Sequence, residues 1–267
     1  MPTETPSRLI AIGDVHGAAD ELAMLLGGLD KVAPDWPVYF LGDIVDRGPD
    51  SRRAMDLVEE TFAARPGSKL LLGNHDDWLL RFLNDRLSPE EALHWFAQGG
   101  AETLSSYGVT PGAGLTEARQ HVLADRPSHL GLLNAASLLE SIGGFAFVHA
   151  GIDPLRPLGE QTRHDCLWMR EPFLGHVGRL DHVVVHGHTP LKDGIPVATE
   201  NRISIDTAAV LNGALTAILI DTADGTIDFL QTRNDGSVSA VEPRRLNRGL
   251  GTAVDRRRSP ARSSNPR

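Results

Sequence analysis

Asp43, Asp46 and Arg47 stand within five residues of one another, directly after the short apolar run 38–41. A short apolar run that follows a proline is typical of a buried strand, so Asp43 is placed where a strand ends and a loop begins. Carboxylates are ligands for divalent metal ions, and a guanidinium binds phosphate oxygens. The stretch therefore indicates a metal site with a phosphate beside it, although a charged surface loop explains it equally well when it is taken alone.

Two further apolar runs end in residues of the same kind, one before and one after this stretch. They are Arg8–Ile12, followed by Asp14 and His16, and Lys69–Leu72, followed by Asn74 and His75. Asp14 precedes Asp43 by 29 residues, and Asp43 precedes Asn74 by 31. Because roughly 30 residues is the length of a βαβ unit, we expect three parallel strands whose C-terminal ends share one edge of a sheet. The polar residues that follow them should then converge.

The elements that position these residues are predicted from periodicity. Helices are expected after each of the three strand ends, with either Asp50 or Ser51 capping the second helix, and residues 88–140 are expected to be mostly helical. A β-hairpin is predicted over 137–148 and ends at His149, and a strand at 182–185 leads to His186 and His188. Later strands are expected at about 203–206, 215–220 and 226–231, the last two antiparallel.

Three histidines and the cysteine have no partner pattern in the sequence. We interpret His94, His121 and His129 as structural or surface residues, and Cys166 as a packing residue. Arg170 lies in the long, proline-rich connection 152–180. Loops of that length are usually functional, yet an exposed charge is an equally good interpretation of Arg170 from the residues alone.

Composition limits the class of protein. The chain has 267 residues, 41% of them apolar and 23% charged, which is ordinary for one large α/β domain or two small ones. We expect no signal peptide, because residues 1–8 are polar and lack an apolar stretch. We expect no membrane span, because no apolar run approaches roughly 18 residues. Cys166 is the only cysteine, so no intrachain disulfide forms and a cytoplasmic location is expected.

The charge is unevenly distributed. The net charge of -9 combines +7 on the Arg-rich residues 244–267 with -16 on residues 1–243. An acidic body does not suggest a nucleic-acid surface, so no nucleic-acid partner is expected. We predict that residues 244–267 form a basic, disordered tail.

Five sequence blocks in this order resemble the phosphoprotein phosphatase family of calcineurin-like metallophosphoesterases. They are Gly13-Asp14-Val15-His16-Gly17, Gly42-Asp43-Ile44-Val45-Asp46-Arg47-Gly48, Gly73-Asn74-His75-Asp76, His149-Ala150-Gly151 and Gly187-His188-Thr189-Pro190. The similarity spans residues 8–231 and is greatest to the bacterial and phage branch, close to diadenosine tetraphosphatases. It implies an α/β fold of the αββα sandwich type, with two mixed sheets flanked by helices, and a catalytic domain over residues 1–243.

The resemblance also implies a role for each residue of these blocks. Two divalent metal ions are expected: Mn²⁺ is our choice, with Fe, Zn or Co as alternatives. Their ligands would be Asp14 and His16 for the first ion, Asn74, His149 and His188 for the second, and Asp43 for both. His75 would act as general acid or charge stabiliser with Asp46 orienting it, and Arg47 and Arg170 would bind the phosphate, together with Asn74 and His75.

Three positions depart from the family pattern or stand outside it. Asp76 replaces a frequent Glu, which should have a mild effect. Ala208 follows Ile205-Asp206-Thr207 where the branch often has Gly, which should alter a loop near the site. His186 is not a ligand in the pattern, and we interpret it as a strand-end residue behind the site.

The expected activity is hydrolysis of a phosphomonoester by attack of a metal-bound water or hydroxide. Two metal ions about 3.5–4 Å apart would activate the nucleophile and bind the phosphoryl oxygens. We expect a serine/threonine protein phosphatase whose partner is a phosphorylated protein or a small phosphoester. A symmetrical bis(5'-nucleosyl)-tetraphosphate hydrolase is the alternative enzyme. A catalytically silent phosphate-binding scaffold is the alternative of another class, but no expected ligand is missing from the sequence.

Overall fold

The first sheet holds the three strands whose ends carry the predicted site. In the computed structural model, which describes residues 6–246, β1, β2 and β3 are adjacent and parallel, as predicted. Three antiparallel strands complete the sheet in the order β11-β10-β9-β1-β2-β3. Its members are β1 (Arg8–Ile12), β2 (Val38–Phe40), β3 (Lys69–Leu70), β9 (Thr216–Asp221), β10 (Thr226–Thr232) and β11 (Val238–Ala240).

The second sheet holds the strands that lead to the later histidines. Its order is β12-β7-β8-β6-β5-β4, with β5, β6 and β8 parallel and the predicted hairpin β4–β5 antiparallel. Both sheets are therefore mixed, as expected. Its members are β4 (Leu139–Ile142), β5 (Phe145–Val148), β6 (Val183–His186), β7 (Val197–Ala198), β8 (Arg202–Ser204) and β12 (Arg244–Arg245).

Helices follow the strands of the first sheet and continue through the middle of the chain. Asp50 caps α2 by accepting a hydrogen bond from Arg53 N at 3.1 Å, which decides between the two predicted caps. The α-helices are α1 (Ala19–Val32), α2 (Ser51–Ala64), α3 (Asn74–Leu83), α4 (Pro89–Trp95), α5 (Ala101–Ser106), α6 (Leu115–Asp125), α7 (Pro127–Ala135), α8 (Arg163–Trp168) and α9 (Ala209–Asn212), with a π-helical turn at Phe96–Gly100 and a 3₁₀ turn at Leu158–Glu160.

The two faces of β1 show how the layers pack. Leu9 and Ala11 point into the core between the sheets, whereas Ile10 and Ile12 pack against the helices, because successive side chains of a strand point to opposite faces. A third apolar cluster covers the outer face of the second sheet and includes Cys166, which is 1% exposed. The architecture is an αββα sandwich, as expected. Among the helices of residues 6–246, none has the length and apolar character that crossing a bilayer requires.

The predicted tail begins inside the ordered fold. Arg244 and Arg245 form β12, which pairs in parallel with β7. The backbone N–H of Leu246 donates to Ala198 O at 3.0 Å. The expected disorder is therefore wrong for Arg244 and Arg245, since pairing with a neighbouring strand outweighs their polar composition. Residues 247–267, on which the rest of this prediction falls, lie outside the described residues.

The three unassigned histidines lie away from the strand ends. His129 is buried, and its Nδ1 lies 2.7 Å from the hydroxyl of Tyr107. His121 Nε2 donates to Tyr107 O at 3.0 Å. His94 is exposed and packs edge to face against Trp78. All three have structural or surface environments, in agreement with the sequence interpretation.

Candidate metal and phosphate site

Asp43 lies at the centre of the site, between residues from both sheets. Its Oδ2 is 3.4 Å from His16 Nε2, and its Oδ1 is 3.4 Å from His149 Nε2. Two groups of buried side chains that could each hold an ion share this carboxylate: His16, Asp43 and His75 in one, and Asp43, His149 and His188 in the other. Asp43 is therefore placed to contact two ions at once.

Hydrogen bonds to backbone carbonyls fix the tautomers of two histidines. Nδ1 of His16 lies 2.9 Å from Val45 O, and Nδ1 of His149 lies 2.9 Å from Leu41 O. Because a carbonyl only accepts, each Nδ1 carries the proton and each Nε2 keeps a lone pair. Both lone pairs point toward Asp43, which is the arrangement that a metal ligand requires.

Acceptor atoms face one another around His149. Its Nε2 lies 2.9 Å from Asn74 Oδ1 and 3.2 Å from His188 Nδ1. An amide oxygen and an imidazole lone pair repel each other unless a cation or a proton lies between them. Imidazole, amide and carboxylate donors together suit a divalent transition metal. These residues therefore fit the ion that the resemblance implies.

Electrostatics keep the histidines in the form that binds metal. Burial lowers the pKa of His16 to about 3, and burial with the adjacent His149 lowers the pKa of His188 to about 3. Burial raises the pKa of Asp43, but four surrounding imidazoles outweigh it and hold that pKa well below its usual range. Neutral imidazoles around an ionised carboxylate are the protonation states in which these groups bind a metal.

Asp14 lies beside a carboxylate that the sequence analysis did not assign. Both Asp14 oxygens accept from His188 N, at 3.2 and 3.1 Å, and its Oδ2 is 4.0 Å from His16 Nε2. Burial raises the pKa of Asp14, and the negative charges of Asp206 and Asp43 raise it further. Burial and the charge of Asp43 likewise raise the pKa of Asp206 to about 6. Clustered buried carboxylates are stabilised by a cation. Asp206 follows the end of β8, so the strand-end rule could have identified it.

His75 and Asp46 form a buried pair next to this cluster. His75 Nδ1 donates to Asp46 Oδ2 at 2.7 Å. The same carboxylate accepts from Trp95 Nε1 at 2.8 Å and from Thr103 Oγ1 at 2.6 Å. Three donors therefore fix the orientation of Asp46. Trp95 and Thr103 lie 49 and 57 residues from Asp46 in the chain, so no local sequence pattern indicated this role.

Burial lowers the pKa of His75, but the charge of Asp43 and the hydrogen bond to Asp46 outweigh burial and raise it overall. Asp46 thus favours the imidazolium form of His75, which can give up a proton.

Arg47 reaches across the mouth of the site. Its Nη1 donates to His16 Nε2 at 2.6 Å, and its Nη2 donates to His75 Nε2 at 2.8 Å. Both contacts require the imidazole nitrogen to accept, so a metal ion on His16 or a proton on His75 Nε2 displaces the guanidinium. Arg170 is exposed and makes no side-chain hydrogen bond with another residue of 6–246. Its charge lowers the pKa of His188, after burial and the charge of His149.

Asp76 joins the loops that follow β2 and β3. Its Oδ1 accepts from Ile44 N at 2.9 Å, and its Oδ2 accepts from Gly73 N at 3.0 Å. Burial, followed by the charge of Asp43, raises the pKa of Asp76 to about 7. The residue that departs from the family's Glu is therefore an anchor between two loops of the site.

His186 and Ala208 lie behind the ligands. His186 Nε2 accepts from Ser204 Oγ at 2.7 Å, and its Nδ1 lies 3.0 Å from Gly187 O, so both ring nitrogens have partners away from the ligands. Ala208 has φ 58° and ψ 45°, a left-handed conformation that favours glycine. The family's frequent Gly thus corresponds to a backbone requirement, which this chain meets with Ala.

Five of the predicted site residues share that left-handed backbone. Their φ angles are 48° at His16, 51° at Asp43, 73° at Asp46, 68° at Arg47 and 65° at His188. Such conformations are costly for residues other than glycine and concentrate at functional sites. Here they turn the chain sharply after the strands and bring the side chains that follow into one cluster.

Comparison with known proteins agrees with this geometry. The family model described as calcineurin-like phosphoesterase matches residues 7–214. The chain belongs to the calcineurin-like phosphoesterase family. Members of the family hold a dinuclear divalent metal centre, and the ligand groups around Asp43 provide candidate positions for it.

The individual relatives described here are between 16% and 27% identical to this chain. Asymmetrical bis(5'-nucleosyl)-tetraphosphatase PrpE of Bacillus anthracis is 27% identical over 235 residues, covering 78% of this chain and 88% of the relative. Two solved structures share the fold. A candidate diadenosine tetraphosphatase has a TM-score of 0.59 at 22% identity, over 88% of this chain and 97% of its own. A serine/threonine phosphatase of Saccharomyces cerevisiae has a TM-score of 0.52 at 16% identity, over 88% of this chain and 79% of its own.

Proposed function

We propose that this chain is a two-metal hydrolase of dinucleoside polyphosphates. The observation that carries the hydrolytic part is the position of Asp43, which presents one oxygen toward His16 and the other toward His149. The name of the PrpE relative supports the substrate class. The relative is called asymmetrical, whereas the sequence analysis considered symmetrical cleavage, so the bond that is cut is part of the test.

The described residues divide between two ions, with Mn²⁺ proposed and Fe, Zn or Co as alternatives. Asp14 and His16 would hold one ion, Asn74, His149 and His188 the other, and Asp43 both. When bound, the ions supply Lewis-acid charge to the phosphoryl oxygens and lower the pKa of the attacking water. The transition state of phosphoryl transfer carries negative charge on its oxygens, and cations that are already in position stabilise that charge.

The remaining residues bind the phosphate and move one proton. Arg47 spans His16 and His75 at the mouth, so a substrate phosphate that draws its guanidinium away leaves His75 Nε2 free. The freed nitrogen takes up a proton from solvent, which the charges of Asp43 and Asp46 favour. His75 then gives that proton to the leaving oxygen, while Nδ1 keeps its own proton and donates to Asp46. Arg170 supplies a second cation.

A phosphoserine or phosphothreonine protein is the second candidate substrate. The specific observation in its favour is the buried Asp46–His75 pair, since an alkoxide leaves poorly without a proton donor. A nucleotide is a much better leaving group than a serine alkoxide and needs less help from a proton donor. The acid pair therefore suits a serine ester at least as well as an anhydride.

Product analysis tests these proposals. The Mn²⁺-loaded protein is incubated with p-nitrophenyl phosphate, with diadenosine tetraphosphate and with a phosphoserine peptide, and kcat/KM is compared. We expect turnover of the first two and a higher kcat/KM for the tetraphosphate. Release of ATP and AMP identifies asymmetrical cleavage, and release of two ADP identifies symmetrical cleavage. A higher kcat/KM for the phosphopeptide would favour the second candidate, and no turnover of any ester would favour a phosphate-binding scaffold.

A further inference from the structure

Four aromatic rings form a row along one side of the site, and the mechanism above uses only the two at its ends. His75 packs edge to face against Trp78, with ring centroids 4.9 Å apart. Trp78 packs against Trp168 at 5.4 Å, and Trp168 packs against His188 at 6.0 Å. The row therefore runs from the proposed proton donor to a proposed metal ligand.

Trp168 is the member of this row that reaches solvent. Its side chain is 38% exposed, whereas Trp78 is 8% exposed. A large aromatic residue that is open to solvent beside a polar site offers an apolar surface to a ligand, because nothing else in residues 6–246 covers that part of it. Trp168 is the last residue of α8, so its backbone is held by a helix rather than by a free loop.

We propose that Trp168 is a specificity-determining residue that stacks on a nucleobase of the substrate. This inference rests on the proposed action on dinucleoside polyphosphates and names the residue that would select them. Every nucleobase has a π-face, so one indole can hold any of them without hydrogen bonds to the base edge.

Charge and position support a nucleoside rather than a bare phosphate at this place. Arg170 is exposed and follows Trp168 by two residues, so a cation is available for the phosphate chain that a stacked nucleoside carries. Trp168 lies next to His188, a proposed metal ligand, and connects to His75 only through Trp78. A base on Trp168 would therefore lie beside the phosphates at the metal site.

Kinetics of two variants test the inference. Trp168→Ala should raise KM for diadenosine tetraphosphate about tenfold, since alanine replacement of a stacking aromatic costs about 1–3 kcal/mol per base. Its kcat should stay within about twofold, because the reacting atoms are not touched. Trp168→Phe keeps an aromatic face and should recover most of the affinity. Inorganic tripolyphosphate, which has no base, should show the same KM with all three proteins.

The control is Leu155→Ala, a substitution of another exposed apolar residue in the long connection that contains Trp168; Leu155 is 90% exposed. It should leave both KM values unchanged. Circular dichroism and Tm confirm that each variant is folded. If Trp168 only covers Trp78, Trp168→Ala will change KM for tripolyphosphate and for the dinucleotide by the same factor, and this result overturns the proposal.

Binding without turnover separates this inference from the proposed function. AMP should quench the tryptophan fluorescence of the wild-type protein, and Trp168→Phe should lose that quenching although Trp36, Trp78 and Trp95 remain. Quenching without hydrolysis of the tetraphosphate would contradict the proposed function and keep the nucleobase site. Hydrolysis with unchanged quenching and KM in the variants would keep the function and refute the site. A phosphopeptide whose KM alone depends on Trp168 would assign the surface to a peptide and also refute it.

Discussion

His75 Nδ1 lies 2.7 Å from Asp46 Oδ2, and neither side chain is more than 2% exposed. The carboxylate cannot rotate away, because Trp95 and Thr103 donate to it from the end of α4 and from α5. A fixed, buried acceptor determines which ring nitrogen of His75 holds the proton. The other nitrogen faces the opening, where Arg47 contacts it.

Replacing His75 tests whether that outward nitrogen is an acid. His75→Asn should lower kcat about 10²–10⁴-fold for a phosphoserine peptide, the usual contribution of general acid catalysis. The loss should be smaller for p-nitrophenyl phosphate, whose leaving group departs without a proton. Metal content, measured by elemental analysis, should equal that of the wild type.

Two outcomes would contradict this role for His75. Equal losses for both substrates would show that His75 stabilises charge on the phosphoryl group. A fall in metal content would show that it is a ligand, as its position with His16 and Asp43 permits.

The shared position of Asp43 makes a second prediction. Asp43→Asn should abolish turnover and lower the content of both metals, because the carboxylate lies 3.4 Å from a histidine nitrogen on each side. The matched control is Asp181→Asn, which removes one negative charge from an exposed loop. Two metals retained per chain in Asp43→Asn would refute the bridging role.

A third prediction concerns the glycine that lies against Asp14. A Cβ added at Gly187 would lie 1.9 Å from Asp14 Oδ1, far inside van der Waals contact. Gly187→Ala should therefore displace the carboxylate and weaken metal binding. Gly131→Ala is the control, since it lies in α7 with no neighbour within 4 Å of the added atom and suits a helix better. Normal metal content in Gly187→Ala would show that the site tolerates a moved Asp14.

The end of the chain provides a fourth prediction through two truncations. Removing residues 247–267 leaves every described contact in place and should not change Tm. Removing residues 244–267 also deletes β12, including the bond from Arg244 N to Pro196 O at 2.7 Å. The deletion removes two backbone hydrogen bonds, this one and the bond from Leu246 N to Ala198 O. At a net gain of about 1 kcal/mol for each bond, we expect a further Tm decrease of about 4–8 °C. If the two truncated proteins have the same Tm, β12 adds no stability. If deletion of residues 247–267 alone lowers Tm by a large amount, those residues pack on the domain.

The features that repeat along the chain could be predicted from the sequence. The spacing of Asp14, Asp43 and Asn74 predicted three parallel strands, and the structure has them as β1, β2 and β3. The later histidines were found by the same rule, that a polar residue follows a buried strand. This rule works because strand ends are local features, and parallel strands bring them to one edge.

Features set by distant contacts could not be predicted from local patterns. Local sequence does not show which histidine or aspartate adopts a left-handed conformation. His16 adopts one while its N–H donates to Asp43 O at 2.8 Å and its carbonyl accepts from Gly48 N at 2.9 Å. Thr103 reaches Asp46 across 57 residues. The pairing of Arg244 and Arg245 with β7 was missed for the same reason, since their composition resembles that of a solvated tail.

The proposed metal ligands are divided between the two sheets, so metal affinity would depend on folding. Asp14, His16 and Asn74 follow strands of the first sheet, His149 and His188 follow strands of the second, and Asp43 contacts histidines from both. Neither sheet alone contains the full set, so tight metal binding requires that the sheets have docked. Ion binding then favours the docked chain over any partly folded one by mass action. A chelator should thus act on this protein as a mild denaturant, and metal uptake during refolding would report the moment at which the two halves meet.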